Sequence, residues 1–158
     1  MSKIYLVAGQ IGSGKTTFSK ELESRTGAFR FSPDEWMLKL CPGEIRNEEF
    51  DHYFFICCEI AWKLTKKLSE KGLDIILDFG FWNRELRDKY IQRIIGIGAE
   101  YKLYYVYCPE ETIRERIKAR NESLPNDCFR ISDEAFNFFS PGFQPPSEDE
   151  RFELIDNS

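Results

Sequence analysis

Gly9-Gln10-Ile11-Gly12-Ser13-Gly14-Lys15-Thr16 places glycines, a lysine and a hydroxyl residue at the spacing Gly-x-x-x-x-Gly-Lys-Ser/Thr, the Walker A pattern. These residue types suit the cradling of a polyphosphate. Glycines let backbone N–H groups wrap the phosphates, and a helix starting at the loop adds its partial positive end. On this pattern Gly9 to Thr17 form the nucleotide site. Lys15 reaches the β and γ phosphates, Thr16 ligates Mg²⁺ and Thr17 meets the α phosphate, so ATP and Mg²⁺ are the expected ligands. The competing reading is a glycine-rich turn that happens to hold a Lys-Thr pair, and a strand before it with a helix behind it argues against that.

Two carboxylates stand where they could serve this chemistry. Asp78 closes the apolar run Ile75-Ile76-Leu77 and is expected to support Mg²⁺ opposite the loop; otherwise it is a strand-end acid capping a turn. Asp34 lies in Ser32-Pro33-Asp34-Glu35, which resembles a helix start with Ser32 as N-cap, Pro33 at the first position and Glu35 as capping-box partner. Further on, Arg114, Arg116, Lys118 and Arg120 share one charged segment. They either meet phosphate or form a solvated helix face paired with Glu110, Glu111 and Glu115.

The elements that must position these groups follow from hydrophobic periodicity. Lys3 to Ala8 reads as a strand and Lys15 to Arg25 as a helix. Ala28 to Ser32 reads as a short second strand, and Asn47 to Lys71 as one long amphipathic helix stopped by Gly72. Leu73 to Leu77 is a near-continuous apolar run ending in Asp78, as in a parallel strand buried on both faces. Asn83 caps a helix to Gly96, Tyr101 to Tyr107 is a fourth strand and Pro109 to Asn121 a charged helix. A short helix is expected around Ser132 to Phe139 and a fifth strand at Phe152 to Ile155. The alternation predicts a three-layer α/β/α fold of the P-loop NTPase type, with a mostly parallel sheet of about five strands. Gly9, Ser32, Asp78 and Cys108, each after a strand, should face one crevice.

Beyond the phosphate loop, three stretches resemble the small kinases related to polynucleotide 5′-hydroxyl kinase, zeta toxin and chloramphenicol phosphotransferase. They are Phe31 to Trp36, Leu77 to Trp82 and Arg114 to Asn121, and the combination is similar to uncharacterised bacterial ATP-binding proteins of this AAA-type group. The resemblance covers nearly the whole chain. It implies that Asp34 is the general base on the acceptor hydroxyl, and that Arg116 and Arg120 belong to a small helical lid, about 114–130, closing over the β and γ phosphates. Many polynucleotide kinases carry an arginine three residues after the catalytic aspartate, whereas this chain has Met37. A nucleic-acid acceptor is therefore not favoured, and Trp36, Phe79, Phe81 and Trp82 either suit a flat or apolar acceptor or belong to the core.

Composition bounds the rest. The 158 residues carry a net charge of −5, 42% hydrophobic and 31% charged residues, which fits one domain spanning 1–158 and disfavours a protein that coats nucleic acid. No apolar run approaches a membrane span and no signal peptide is seen. Five cysteines without a Cys-x-x-Cys pair fit a reducing cytoplasm, and the lone His52 leaves no zinc-ligand cluster. The expectation is an ATP-dependent phosphotransferase acting on the hydroxyl of an unidentified small-molecule or nucleotide acceptor. The alternatives are a nucleotide-binding switch that hydrolyses ATP slowly and a zeta-toxin-like sugar-nucleotide kinase. The adenine contacts are expected around Phe143 to Glu148, and oligomeric state has no signature in the sequence.

Overall fold

Apolar residues in Lys3–Gly9 (β1) point to both faces, so this strand must lie at the centre of a covered sheet. The computed structural model describes residues 1–41, 48–125 and 128–158. After β1 come Lys15–Thr26 (α1), Phe29–Phe31 (β2), Pro33–Leu40 (α2), Glu48–Glu70 (α3), Ile75–Gly80 (β3) and Arg84–Gly96 (α4). Glu100–Tyr107 (β4), Glu110–Glu122 (α5), Asp133–Phe139 (α6), a 3₁₀ turn at Ser140–Gly142 and Phe152–Asp156 (β5) complete the order. The expected long helix is α3; Asn47, its expected first residue, lies outside the described residues.

The strands form one sheet of order β2-β3-β1-β4-β5, and every pairing is parallel. Parallel neighbours need crossovers, and helices supply them. Along β1 the side chains alternate. Ile4, Leu6 and Ala8 join Ile75, Leu77, Phe79 and Leu103 beneath α3 and α4, while Tyr5 and Val7 join Ile76, Tyr104 and Val106 beneath Phe18 and Leu22 of α1. A third cluster of Ile113, Ile117, Ile131 and Phe136 draws α5 and α6 onto Ile11 of the loop, and a fourth joins Met37 of α2 to Phe50 and Cys57 of α3.

Local signals held where a side chain had no better partner. Asn83 accepts a hydrogen bond from the Leu86 N–H at 2.8 Å, and Ser132 accepts one from Ala135 at 3.1 Å. The expected capping box at α2 does not form. Pro33 occupies the first turn, but Ser32 makes no side-chain cap bond, and Glu35 turns to Arg30 at 2.7 Å because a guanidinium is the stronger partner for a carboxylate. The second strand is shorter than expected, and β3 starts two residues later and runs past Asp78, which sits inside it two residues before its end. There β3 opposes β1 irregularly, since Leu6 pairs with Leu77 but Ala8 with Gly80, leaving Asp78 and Phe79 opposite the single residue Val7.

Candidate functional site

The loop between β1 and α1 turns on glycines because nothing larger fits. Gly12 (φ 77°) and Gly14 (φ 98°) are left-handed, and a Cβ on Gly12 would lie 2.9 Å from both Ile113 and Ile117 of α5. The Ser13 N–H donates to the Gln10 carbonyl at 3.0 Å, and so does the Lys15 ammonium at 2.9 Å. Two tethers had no signal in the sequence, because their partners lie far along the chain. Asn157, just beyond β5, donates its side-chain N–H to the Ser13 carbonyl at 2.8 Å, and the Gln10 amide donates to the Ser140 hydroxyl.

Two cavities open on the loop. The larger, about 380 Å³, is lined by Gly14, Thr17 and Lys20 of the loop and α1 and by Arg116 of α5. The smaller, about 140 Å³, is lined by Ile11, Asp34, Leu38, Asp78 and residues before and within α6. Lys15, Thr16 and Arg120 border both cavities. Gln10, Ser13 and Gly9 support the loop from behind: Ser13 is buried, and a Cβ on Gly9 would strike the Ser13 hydroxyl and the Val106 carbonyl.

Asp78 is 5% exposed and on the α1 side of the sheet, where Arg30 of β2 reaches it. Both Arg30 bonds, at 3.0 and 3.3 Å, fall on Oδ2, and the same guanidinium holds Glu35, the residue after Asp34. One arginine thus ties β3 to the first turn of α2, and Asp34 and Asp78 both line the smaller cavity. Burial pushes the Asp78 carboxyl above its ordinary range, and Asp34 adds to this, while Arg30 and Lys15 oppose it. Arg30 is itself pulled down by burial and held up more strongly by Glu35 and Asp78. The sequence offered no reason to single out Arg30.

The α5 cations differ in what they touch. Arg114 pairs with Glu110 at 2.7 Å, one turn away, and lies over the Phe136 ring, so it is part of a salt-bridged face. Arg116 reaches the Cys108 sulfur at 3.3 Å on the wall of the larger cavity. Arg120 carries a buried Nε–H that has no hydrogen-bond partner among the described residues.

The aromatic cluster resolves as core and support. Phe79 and Phe81 pack on Tyr90, Trp36 on Phe31 and Trp82 on Phe143, and the rings that do line the smaller cavity are Phe129 and Phe139. Met37 is fully buried against α3, so the side chain of α2 that faces this cavity beyond Asp34 is Leu38. The Phe143 to Glu148 segment, expected near the adenine, is fastened to the start of α4. Gln144 donates its N–H to the Trp82 carbonyl, and Arg87 donates to the carbonyls of Phe81 and Gln144 while pairing bidentately with Glu150 at 2.6 and 3.0 Å. Phe81 is a non-glycine residue at φ 45°, a strained conformation that persists only where its surroundings over-determine it, and Arg87 and Tyr90 do so.

Thr16 and Asp78 border one cavity, with a carboxylate oxygen outside the Arg30 pair, a donor set of hard oxygens suited to Mg²⁺. Among the described residues no group of three or more His, Cys, Asp or Glu side chains could hold a metal, and no helix is long and apolar enough to cross a membrane.

Solved structures share the architecture. A candidate kinase from Chloroflexus aurantiacus superposes with a TM-score of 0.74 at 16% identity, covering 98% of this chain and 86% of that one. A gluconokinase from Sinorhizobium meliloti gives 0.67 at 15%, covering 99% and 83%. The Mycobacterium tuberculosis APS kinase, solved with AMPPNP and APS, gives 0.67 at 13%, covering 98% and 88%. The fold is that of the P-loop NTPases. No curated protein sequence matches the chain. Residues 4–146 match the family AAA_33, described as an AAA domain, and with nine-tenths of its length inside that match the chain belongs to this family.

Proposed function

We propose that this protein is an ATP-dependent phosphotransferase that moves the γ-phosphoryl group of ATP to a hydroxyl of a small acceptor. The observation that carries this is the pair of cavities meeting on the phosphate loop at Gly12, Lys15 and Thr16 and at Arg120, with Thr17 and Arg116 bordering only the larger and Asp34 only the smaller. A site built only for ATP hydrolysis has no need of a second walled cavity holding a carboxylate. The kinases among the fold relatives support the same reading.

In the reaction the acceptor oxygen attacks Pγ, the bond from Pγ to the β-bridging oxygen breaks, and ADP leaves with that electron pair. The hydroxyl proton passes to Asp34, giving ADP and a phosphate monoester. Gly9 to Thr17 hold the polyphosphate, Lys15 takes the β and γ oxygens, and Arg116 and Arg120 answer the charge spread over the transferring group. Thr16 and Asp78 would hold Mg²⁺, which neutralises phosphate charge when bound. Residues 1–158 act as one domain, with 114–130, of which 126 and 127 lie outside the described residues, as the lid, and the Arg120 Nε–H, without a partner among the described residues, is a donor that a phosphate oxygen would satisfy.

The test is ADP release from Mg-ATP by wild type and Asp34→Asn, with and without a panel of alcohols. Stimulation by one class of alcohol, lost in Asp34→Asn while ATP binding persists, supports the proposal. Slow release indifferent to every acceptor and to Asp34 rejects it in favour of a nucleotide switch.

A further inference from the structure

Helix α3 carries two apolar faces. Phe50, Cys57, Cys58, Ala61, Trp62 and Thr65 turn inward, and a surface helix needs only one such stripe. Yet Tyr53, Ile56, Ile60 and Leu64, spaced three, four and four residues apart, are each between 37% and 48% exposed. At 3.6 residues per turn they fall within about 80° of one another, on a line about 16 Å long down the outside of the helix. Large apolar residues scattered singly over a surface need no explanation, but four on one line form a contiguous patch of the kind that marks a contact. The flank toward α4 is already occupied. Glu59 pairs with Arg93 at 2.9 Å, and the Lys89 ammonium lies over the Phe55 ring.

The charges at the two ends of the line identify what covers it. Glu49 and Lys67 lie on the same side of the helix as the four apolar residues, both are exposed, and neither has an ion-pair partner among the described residues. Glu48, Glu49 and Asp51 make the first turn acidic, whereas Lys63, Lys66 and Lys67 make the second half basic. A surface that complements this line must be basic at one end, apolar in the middle and acidic at the other, and α3 run in the opposite direction is such a surface. The order is close to a palindrome about Cys58. Ile56 and Ile60 stand two residues before and after it, Tyr53 and Leu64 five before and six after, and Glu49 and Lys67 nine before and nine after. A two-fold axis at that level sets Ile56 on Ile60 of the second copy, Tyr53 on Leu64 and Glu49 on Lys67, each contact made twice. A parallel arrangement would instead set Glu49 on Glu49 and Lys67 on Lys67, with the helix dipoles side by side in the same sense.

We propose that α3 is a homodimer contact, packed antiparallel on α3 of a second copy of this chain along Tyr53, Ile56, Ile60 and Leu64, with Glu49 and Lys67 of opposite copies paired at both ends. Burial of the apolar line supplies the affinity, and the end charges set the orientation. A single helix line is at the small end of specific interfaces, so the dimer forms in the micromolar range.

Sedimentation equilibrium of the full chain from about 1 to about 300 μM, at physiological ionic strength, tests this, and a monomer–dimer equilibrium is expected. Glu49→Lys and Lys67→Glu, each alone, should raise the dissociation constant about tenfold, because like charges then meet at both ends. Combined in one chain the two exchanges should restore it, since opposite charges again meet in the antiparallel pair. Ile60→Lys, near the axis, should abolish association over the whole range, and the milder Ile56→Ser should weaken it about tenfold. Both positions are exposed, so the fold is kept, and circular dichroism checks that it is. A monomer at every concentration overturns the proposal and leaves the line to a partner other than this chain. A dimer indifferent to Ile60→Lys and Ile56→Ser overturns it by placing the contact elsewhere, and a dimer weakened by either charge change but not restored by the exchange overturns the antiparallel arrangement.

Discussion

Replacing Arg30 by methionine removes the cation between Asp78 and Glu35 while filling most of its volume. Arg30 and Asp78 have side chains only 6% and 5% exposed, so the variant leaves a buried carboxylate without its ion pair. Breaking a buried pair from one side costs about 3–5 kcal/mol. Lys15 still faces Asp78 and Glu35 is one-third exposed, which places the loss near the lower end, about 3 kcal/mol. For a chain of this length that is a fall in Tm of roughly 6–12 °C. The pH dependence identifies the cause. The Asp78 carboxyl is already held above its ordinary 3.8 in the fold, and an acid raised by folding is a burden that grows as pH climbs from 3.8 through the folded value. Losing Arg30 raises that value further. The deficit of Arg30→Met against wild type should therefore be small near pH 4, where Asp78 takes up a proton, and grow as pH rises. Thermal unfolding followed by near-UV circular dichroism, in EDTA and without nucleotide, measures it, and Asp78→Asn added to Arg30→Met should recover much of the loss. A deficit equal at all pH values, or a double variant as unstable as the sum of the two, would refute the reasoning.

Gly12→Ala should both strain the loop and push α5, because the residue is left-handed and its new methyl would meet Ile113 and Ile117 at 2.9 Å; a stability loss of about 1–2 kcal/mol by urea titration and a weaker AMPPNP affinity by calorimetry are expected. Glu150→Gln should cost about 3 kcal/mol at neutral pH by leaving Arg87 buried without its counter-charge. Burial pushes the Glu150 carboxyl up, but Arg87 and Ser147 bring it below its ordinary 4.5, so its contribution is present above 4.5 and lost as pH falls through the folded value. The gap between wild type and variant should therefore narrow in acid, as unfolding curves at several pH values would show. Asn83→Ala removes the cap on the Leu86 N–H and should lower stability by about 1 kcal/mol in the same urea assay.

The elements were legible because each has its own period or punctuation. The buried β3 showed as a near-continuous apolar run, α3 as a three-to-four repeat, and the loop as glycines before Lys15-Thr16, whose conformations admit nothing else. The place of Asp34 in the first turn of α2 was legible from Ser32-Pro33 before it. These are properties of neighbours in sequence, and local sterics and hydrophobic periodicity suffice to reveal them.

What tertiary structure decided were the pairings between distant residues. Arg30 meeting Asp78, Asn157 meeting Ser13, Ser140 meeting Gln10 and Arg87 meeting Glu150 join residues 48, 144, 130 and 63 positions apart, and nothing in either partner's neighbourhood announces the other. The aromatic residues make the same point. Phe79 and Phe81 could have faced a ligand or the core, and β3 buries them against α4, while Phe129 and Phe139, unremarkable in sequence, reach the cavity wall. Which face of α2 looks inward was settled by packing on α3, which takes Met37 and leaves Leu38 beside Asp34. The sequence alone determined that a phosphate loop would form and on which elements, because that depends on backbone freedom and burial pattern; the walls of the smaller cavity depend on how helices settle over a twisted sheet, and only the folded chain decides that.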